Sequence, residues 1–307
     1  MTAPVVVVGD VLIDELRENG HSTSLPGGSA LNVAVGLAVL GTPSVLVGMI
    51  GDDDDGRVIR AYLKKWGVDF VPTLGPRGTG RAISDRRGGE PTYSFNRASR
   101  EREIRIDDTL AGLAAHAELI AVSGYPFDND RQVATLLDLI SGSGATVAVD
   151  PNPREGMLAD RHSFRANLER VAASTALLKL SEEDAELLYE ERLEDVVHRY
   201  LPLVSLGVLA TAGDRGARLY TRESAHVRPI VDDPRPIVDT MGAGDASFAV
   251  VLSAMSAASP AADAWPAVLE TAMLAAAETI RHPGALLRRH QRMVSTPPSV
   301  TGRRPIR

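Results

Sequence analysis

Cysteine is absent from this chain of 307 residues. Disulfides, thiolate metal sites and a cysteine nucleophile are therefore excluded, and the composition fits a cytoplasmic protein. Aromatic residues are scarce at 4%, so a core must be built mainly from Ala, Val and Leu. Lysine occurs only at Lys64, Lys65 and Lys179, and arginine carries the remaining basic charge. No apolar run approaches the roughly 18 residues that span a bilayer. The opening Met1-Thr-Ala-Pro-Val-Val-Val-Val-Gly lacks the basic start of a secretory signal and reads as a first strand. A net charge of −7 disfavours nucleic-acid binding, which needs a basic face to neutralise phosphates. No GxxxxGK(S/T) loop occurs, which disfavours a P-loop phosphotransferase. Residues 242–247 also lack the GxGxxG spacing of a dinucleotide-binding dehydrogenase.

With 44% hydrophobic and 24% charged residues, the chain has the balance of a soluble globular protein. Short β-branched runs fall at 5–9, 45–48, 119–122, 146–150, 176–180 and 208–211. Amphipathic stretches at 30–40, 56–65, 131–140, 164–172 and 183–190 separate them. Strands too apolar to face water on either side, alternating with helices, predict a mostly parallel sheet covered on both faces. Ligands of such sheets collect at the carboxyl ends of the strands. Two stretches, about 11–25 and 68–100, read as β-structure without helices and predict a small lid on a main domain of residues 1–295. Within the second, 79–84 and 92–96 form a predicted hairpin around Arg86-Arg-Gly-Gly-Glu90. Residues 296–307 carry no pattern and are expected to be a loose tail.

The strongest local signal is Asp239-Thr-Met-Gly-Ala-Gly-Asp245 ahead of an apolar helical stretch. Glycines at a helix start leave N–H groups unpaired and let a ligand approach the main chain, and the helix dipole favours an anion there. A carboxylate in the same turn, Asp245, can accept a proton from a hydroxyl held against that anion. An anion hole with one base is a sufficient minimal set for phosphoryl transfer. The local residues alone also suit an ordinary helix N-terminus with Asp245 favoured by the dipole.

These residues resemble the DTxGAGD motif of the ribokinase-like carbohydrate kinases, the phosphofructokinase B type. Pro26-Gly-Gly-Ser-Ala-Leu-Asn-Val-Ala is similar to that family's N-terminal GG…N motif, and Gly48-Met-Ile-Gly-Asp-Asp-Asp-Asp-Gly56 to its GxxGxDxxG motif. Thr211-Ala-Gly-Asp-Arg-Gly216 sits where the family has a nucleotide-binding TxGxxG loop. The resemblance covers nearly the whole chain, with the motifs in the family's order. It implies a three-layer α/β/α fold with a β-lid and an ATP- and Mg²⁺-dependent sugar kinase. Asp245 would then be the base, and Gly242, Ala243 and Gly244 the anion hole. Thr211, Gly213 and Gly216 would lie along the nucleotide, although Gly213 to Gly216 is also plain hairpin-turn chemistry. Asp239 and Thr240 would hold the loop, with K⁺ as a monovalent cation beside it.

On the acceptor side, Asp14 in Gly9-Asp-Val-Leu-Ile-Asp14 resembles the GEALID opening of fructokinases. Gly27 and Gly28 would let the sugar reach the backbone, and Asn32 would bond its hydroxyls; a capping partnership with Ser29 is the plainer reading of Asn32. Arg97 would contact the sugar from the end of a lid strand, a place where an arginine is otherwise simply solvated. Asp150-Pro-Asn-Pro-Arg154 looks like a fructokinase DPNxR loop, bringing Asn152 and Arg154 towards phosphates or sugar, and is also ordinary turn chemistry. Carboxylates at a helix N-terminus explain the acidic run at 52–55 without a metal.

Where the family often has an NxxE motif that orders Mg²⁺, this chain has Lys179-Leu-Ser-Glu-Glu-Asp184, as in fructokinases with KxSxEE-like sequences. Lys179 would meet the nucleotide, and Glu183 or Asp184 would support the ion indirectly. The acceptor expected is fructose, with 2-keto-3-deoxygluconate, ribose or a nucleoside as alternatives. A non-catalytic sugar or nucleotide sensor is the competing class. An exposed lid edge is either blunted by charges such as Arg86 and Arg87 or covered by a second copy in a homodimer. No nucleic-acid or membrane partner is expected.

Overall fold

The structure is a computed structural model that describes residues 3–18, 21–85, 92–257 and 260–294. Chain order begins with β1 (Val5–Gly9), β2 (Leu12–Glu18) and β3 (His21–Gly27). Then α1 (Ser29–Leu40), β4 (Ser44–Ile50), α2 (Asp54–Trp66) and β5 (Asp69–Leu74) alternate. β6 (Gly80–Asp85), β7 (Thr92–Phe95), α3 (Arg97–Arg100) and α4 (Asp108–Ala115) come next. The alternation resumes with β8 (Leu119–Ser123), α5 (Asp130–Ser143), β9 (Thr146–Asp150), α6 (Arg161–Ala172) and β10 (Leu177–Ser181). α7 (Glu182–Tyr189) and α8 (Leu193–Tyr200) precede β11 (Gly207–Thr211), β12 (Ala217–Tyr220) and β13 (Ala225–Arg228). α9 (Ala243–Ala257), α10 (Trp265–Thr279) and α11 (Gln291–Val294) complete the described chain.

The main sheet runs β13-β12-β11-β10-β9-β8-β1-β4-β5, parallel except for the pairs β11–β12 and β12–β13. Successive side chains of a strand face opposite ways, and the four valines of β1 show the result. Val5 and Val7 enter the core under α1, α9 and α10, whereas Val6 and Val8 enter the core under α4 to α8. Burial on both faces explains why these strands are continuous apolar runs. The expected runs at 5–9 and 146–150 coincide with β1 and β9. No described helix is long and apolar enough to cross a membrane.

A second sheet, ordered β3-β2-β6-β7, forms the lid. Its β6–β7 pair is the expected antiparallel hairpin, while the turn at 86–90 lies outside the described residues, as do Arg86, Arg87 and the tail at 296–307. The lid is smaller than the expected 68–100: β5 belongs to the main sheet, parallel to β4. Pro72 lies within β5, which is tolerated because β5 is the edge of that sheet.

The acidic run at 52–55 anchors the lid. Asp53 caps α2 by accepting from the Gly56 N–H at 2.8 Å and also accepts from the Thr79 N–H and hydroxyl at 2.7 and 2.6 Å. Asp55 receives a two-pronged pair from Arg81 of β6 at 2.6 and 2.8 Å. The same guanidinium donates to Glu15 of β2 at 2.8 Å, so one arginine ties both lid strands to α2.

Candidate active site

The parallel strands end together beneath the lid, and their carboxyl ends floor a cleft of about 1300 Å³. Asp14, Asn32, Arg154, Lys179, Thr211 and Asp245 all line it.

Asp245 lies in the first turn of α9. Its carboxylate is held from α1: Ser29 Oγ donates to Oδ1 at 2.7 Å and Asn32 Nδ2 to Oδ2 at 2.8 Å. α1 starts where it does because Gly28 has φ 96, and a Cβ there would meet the Asp10 carbonyl oxygen at 2.5 Å. Gly242 precedes α9 with φ 79, and a Cβ on it would stand 2.6 Å from the Ala285 backbone. Asp239 braces this loop by accepting from the Met241 and Gly284 N–H groups, each at 3.2 Å. Thr240, Gly242, Ala243 and Gly244 face the cleft. The first N–H groups of a helix have no intrahelical acceptor, so this edge can receive an anion.

Lys179 supplies positive charge beside it. Its Nζ donates to Asp150 Oδ2 at 2.8 Å, and a Cβ on Gly244 would be 3.3 Å from that Nζ. Both partners are buried. Burial opposes the lysine's charge, but Asp150, Asp184 and Asp245 together outweigh it and hold the ammonium above its usual range. Burial pushes the Asp150 carboxyl up, and Lys179 pulls it back.

Asp14 reaches the cleft from β2. Burial pushes its carboxyl up to about 7; Asp245 and Asp239 add to the rise and Arg154 opposes it. Gly27 itself does not line the cleft; it makes room for this carboxylate, since a Cβ there would fall 1.8 Å from Asp14 Oδ2. Asp10 also lines the cleft, pushed up to about 6 by burial and paired with Arg102 at 2.5 Å. Sequence reasoning passed over Asp10, Arg102 and Ser123, and took Ser29 only as a helix-start capping partner. Only the Gly9-Asp10 step at a strand end could have pointed to the first.

Beyond Lys179, Thr211 ends β11 and the turn at 213–215 leads into β12. Gly213 and Gly216 have φ 51 and 84, so this segment is a hairpin turn and a cleft wall at once. Asn152 and Arg154 also line the cleft. Arg97 does not: it opens α3 behind the Asn96 cap and pairs with Glu101 at 2.6 Å. A strand-end position was expected, but the Asn96 carboxamide accepts from the Ser99 N–H and turns the chain into a helix. Asp184 is also turned away. It is buried in a capping box, accepting from the Ser181 N–H at 2.7 Å while Ser181 Oγ accepts from the Asp184 N–H at 3.1 Å. Glu183 does face the cleft, 3.9 Å from Arg154.

The family model described as pfkB family carbohydrate kinase matches residues 3–288. The chain belongs to this family. It is a carbohydrate kinase, a phosphotransferase with an alcohol group as acceptor. Among curated relatives, a fructokinase of Klebsiella pneumoniae is 32% identical over 272 residues, covering 84% of this kinase and 86% of the relative. Fructokinase-1 of Oryza sativa subsp. japonica is 29% identical, covering 81% of each chain. Aminoimidazole riboside kinase from Salmonella enterica, solved with aminoimidazole riboside and an ATP analogue, superimposes with a TM-score of 0.78. It is 24% identical, with 92% of this kinase and 95% of that chain covered. A double-mutant fructokinase from Vibrio cholerae O395, solved with fructose, ADP and potassium ion, gives 0.76 at 21% identity, covering 93% and 94%. These likenesses show that the kinase has the ribokinase-like fold.

Proposed function

We propose that this kinase transfers the γ-phosphoryl group of ATP to a hydroxyl of fructose. The observation that carries the reading is the Asp245 carboxylate, held by Ser29 and Asn32 in the first turn of α9, with Lys179 beside the adjoining glycine edge. The fructokinase relatives favour fructose.

Asp14, Asn32 and the backbone at Gly28 bind the sugar under the lid. Thr211, Gly213 and Gly216 bind the nucleotide, and its terminal phosphates meet residues 242–244 and Lys179. Asp245 takes the proton of the acceptor hydroxyl as its oxygen attacks the γ-phosphorus. The bond from phosphorus to the β,γ-bridging oxygen breaks, and ADP leaves. Fixed N–H groups and the lysine stabilise the charge spread over the transferring group. Lid closure excludes water, so the sugar rather than solvent receives the phosphoryl group.

Of the expected pair, the Glu183 carboxylate faces the cleft and would support Mg²⁺ that arrives with the nucleotide. Mg²⁺ bound there would neutralise phosphate charge. The loop that Asp239 braces would hold the monovalent cation.

ADP release measured with ATP and Mg²⁺ across fructose, ribose, 2-keto-3-deoxygluconate, glucose and adenosine tests the reading. Turnover selective for fructose supports it. Selective turnover of another acceptor overturns the fructose assignment, and inertness with all of them moves weight to a rarer acceptor or the sensor.

A further inference from the structure

We propose that Ser123 and Ser29 are a positioning pair for the base: Ser123 orients Ser29, and Ser29 holds Asp245. The proposal rests on the kinase reading above. The three side chains come from separate elements: Ser123 ends β8, Ser29 begins α1, and Asp245 lies in the first turn of α9. Ser29 Oγ lies 2.5 Å from Ser123 Oγ and 2.7 Å from Asp245 Oδ1.

The direction of this chain follows from counting protons. A serine hydroxyl carries one, and an ionised carboxylate can only accept. The Ser29 proton is therefore committed to Asp245. Ser29 offers Ser123 only lone pairs, and the Ser123 hydroxyl must donate. The order is Ser123 to Ser29 to Asp245.

Burial gives the arrangement its force. Ser123 is 0% exposed, so water does not compete for its hydroxyl, while Ser29, 6% exposed, stands at the cleft wall. A buried hydroxyl without a partner is costly, and Ser123 has no other side-chain bond among the described residues. Ser29 is also not spent on its own helix. A serine at a helix start commonly caps a backbone N–H, but here Gly28 is the cap residue and makes no side-chain bond. The Ser29 hydroxyl goes instead to the base on another helix.

Ser29 and Asn32 stand about one turn apart on α1 and take opposite oxygens of the carboxylate, which fixes its plane. Asp245 acts through space, and not by hydrogen bonds, on Lys179 from β10, Asp150 from β9 and Asp14 from β2. The hydrogen bonds that orient it come from α1. Ser123 does not line the cleft, so it reaches the reaction only through Ser29.

The test is the single-turnover rate of phosphoryl transfer by rapid quench, using the preferred acceptor of the panel with ATP and Mg²⁺. Ser29→Ala is expected to slow transfer about tenfold and Ser123→Ala about threefold, with both KM values held within about twofold. The double variant is expected to be no slower than Ser29→Ala alone, because Ser123 acts through Ser29. A merely structural role would give losses that multiply, or a lower Tm with unchanged transfer per folded molecule. Unchanged transfer in Ser123→Ala, or multiplying losses, overturns the proposal. If Ser123→Ala does not fold, Ser123→Thr, which keeps the hydroxyl, and Ser123→Val, of the same shape without it, decide: the Val variant should transfer more slowly than the Thr variant, and equal transfer overturns the proposal. A wild type inert with every acceptor removes the proposed reaction and the pair with it. An active wild type with unaffected serine variants removes only the pair.

Discussion

The Asn32 amide donates to Asp245 Oδ2 at 2.8 Å, across 213 positions of sequence. The contact joins the first turn of α1 to the first turn of α9, and these helices pack side by side under the main sheet. It places the side chain assigned to sugar binding against the one assigned to proton removal. In the proposed reaction a hydroxyl recognised by Asn32 would arrive within reach of the base, the geometry general-base catalysis requires.

Asp14 makes the fold sensitive to pH. Its carboxyl is raised from 3.8 to about 7, chiefly by burial. A raised folded value stabilises fully below the unfolded one, and that contribution is lost as pH climbs through the folded value. The wild type should therefore lose stability relative to Asp14→Asn between about pH 4 and pH 7. Thermal melts should show equal Tm values at pH 4 and a higher Tm for the variant at pH 8.

Gly27→Ala tests why the end of β3 carries no side chain. The new methyl would stand 1.8 Å from Asp14 Oδ2, so the carboxylate must swing away while the backbone can stay. The KM for sugar should rise on the order of tenfold, with the KM for ATP unchanged. A change confined to ATP would contradict the placement of Asp14.

Arg81→Met removes the pairs to Asp55 and Glu15 that bind the lid strands to α2. The loss in urea unfolding should be about 1–3 kcal/mol, since the partners are partly buried and charged. Limited proteolysis should then cut the lid before the main domain.

Lys179→Met leaves the Asp150 carboxylate buried without its counter-charge. Breaking such a pair costs about 3–5 kcal/mol, whereas replacing both partners by apolar groups is often neutral. Lys179→Met combined with Asp150→Leu should recover Tm and still lack turnover, separating the lysine's role beside the anion loop from its role in the fold.

Much of this architecture is readable from the chain because it is encoded locally. Short β-branched runs announce β1 and β9, and the base motif is contiguous: glycines, helix start and carboxylate lie within residues 239–245. What escaped depends on long-range partners. Asp55 reads as a helix-start charge, and only the fold brings Arg81, 26 positions away, against it. Ser29 and Ser123 are unremarkable until 94 residues of chain bring them together. β5 reads as lid because it opens a stretch of β-structure without helices, yet it pairs parallel to β4 at the edge of the main sheet. Asp184 reads as a metal partner, although Ser181-Glu-Glu-Asp184 also has the spacing of the capping box it forms.

The central claim is that Asp245 removes the proton. Asp245→Asn keeps the shape and the bond from Ser29 while losing the basic oxygen. The direct measurement is fructose binding by calorimetry alongside single-turnover transfer in this variant. The account predicts fructose affinity within a few-fold of wild type and transfer slowed by about 10²–10⁴. Wild-type transfer in Asp245→Asn would contradict it.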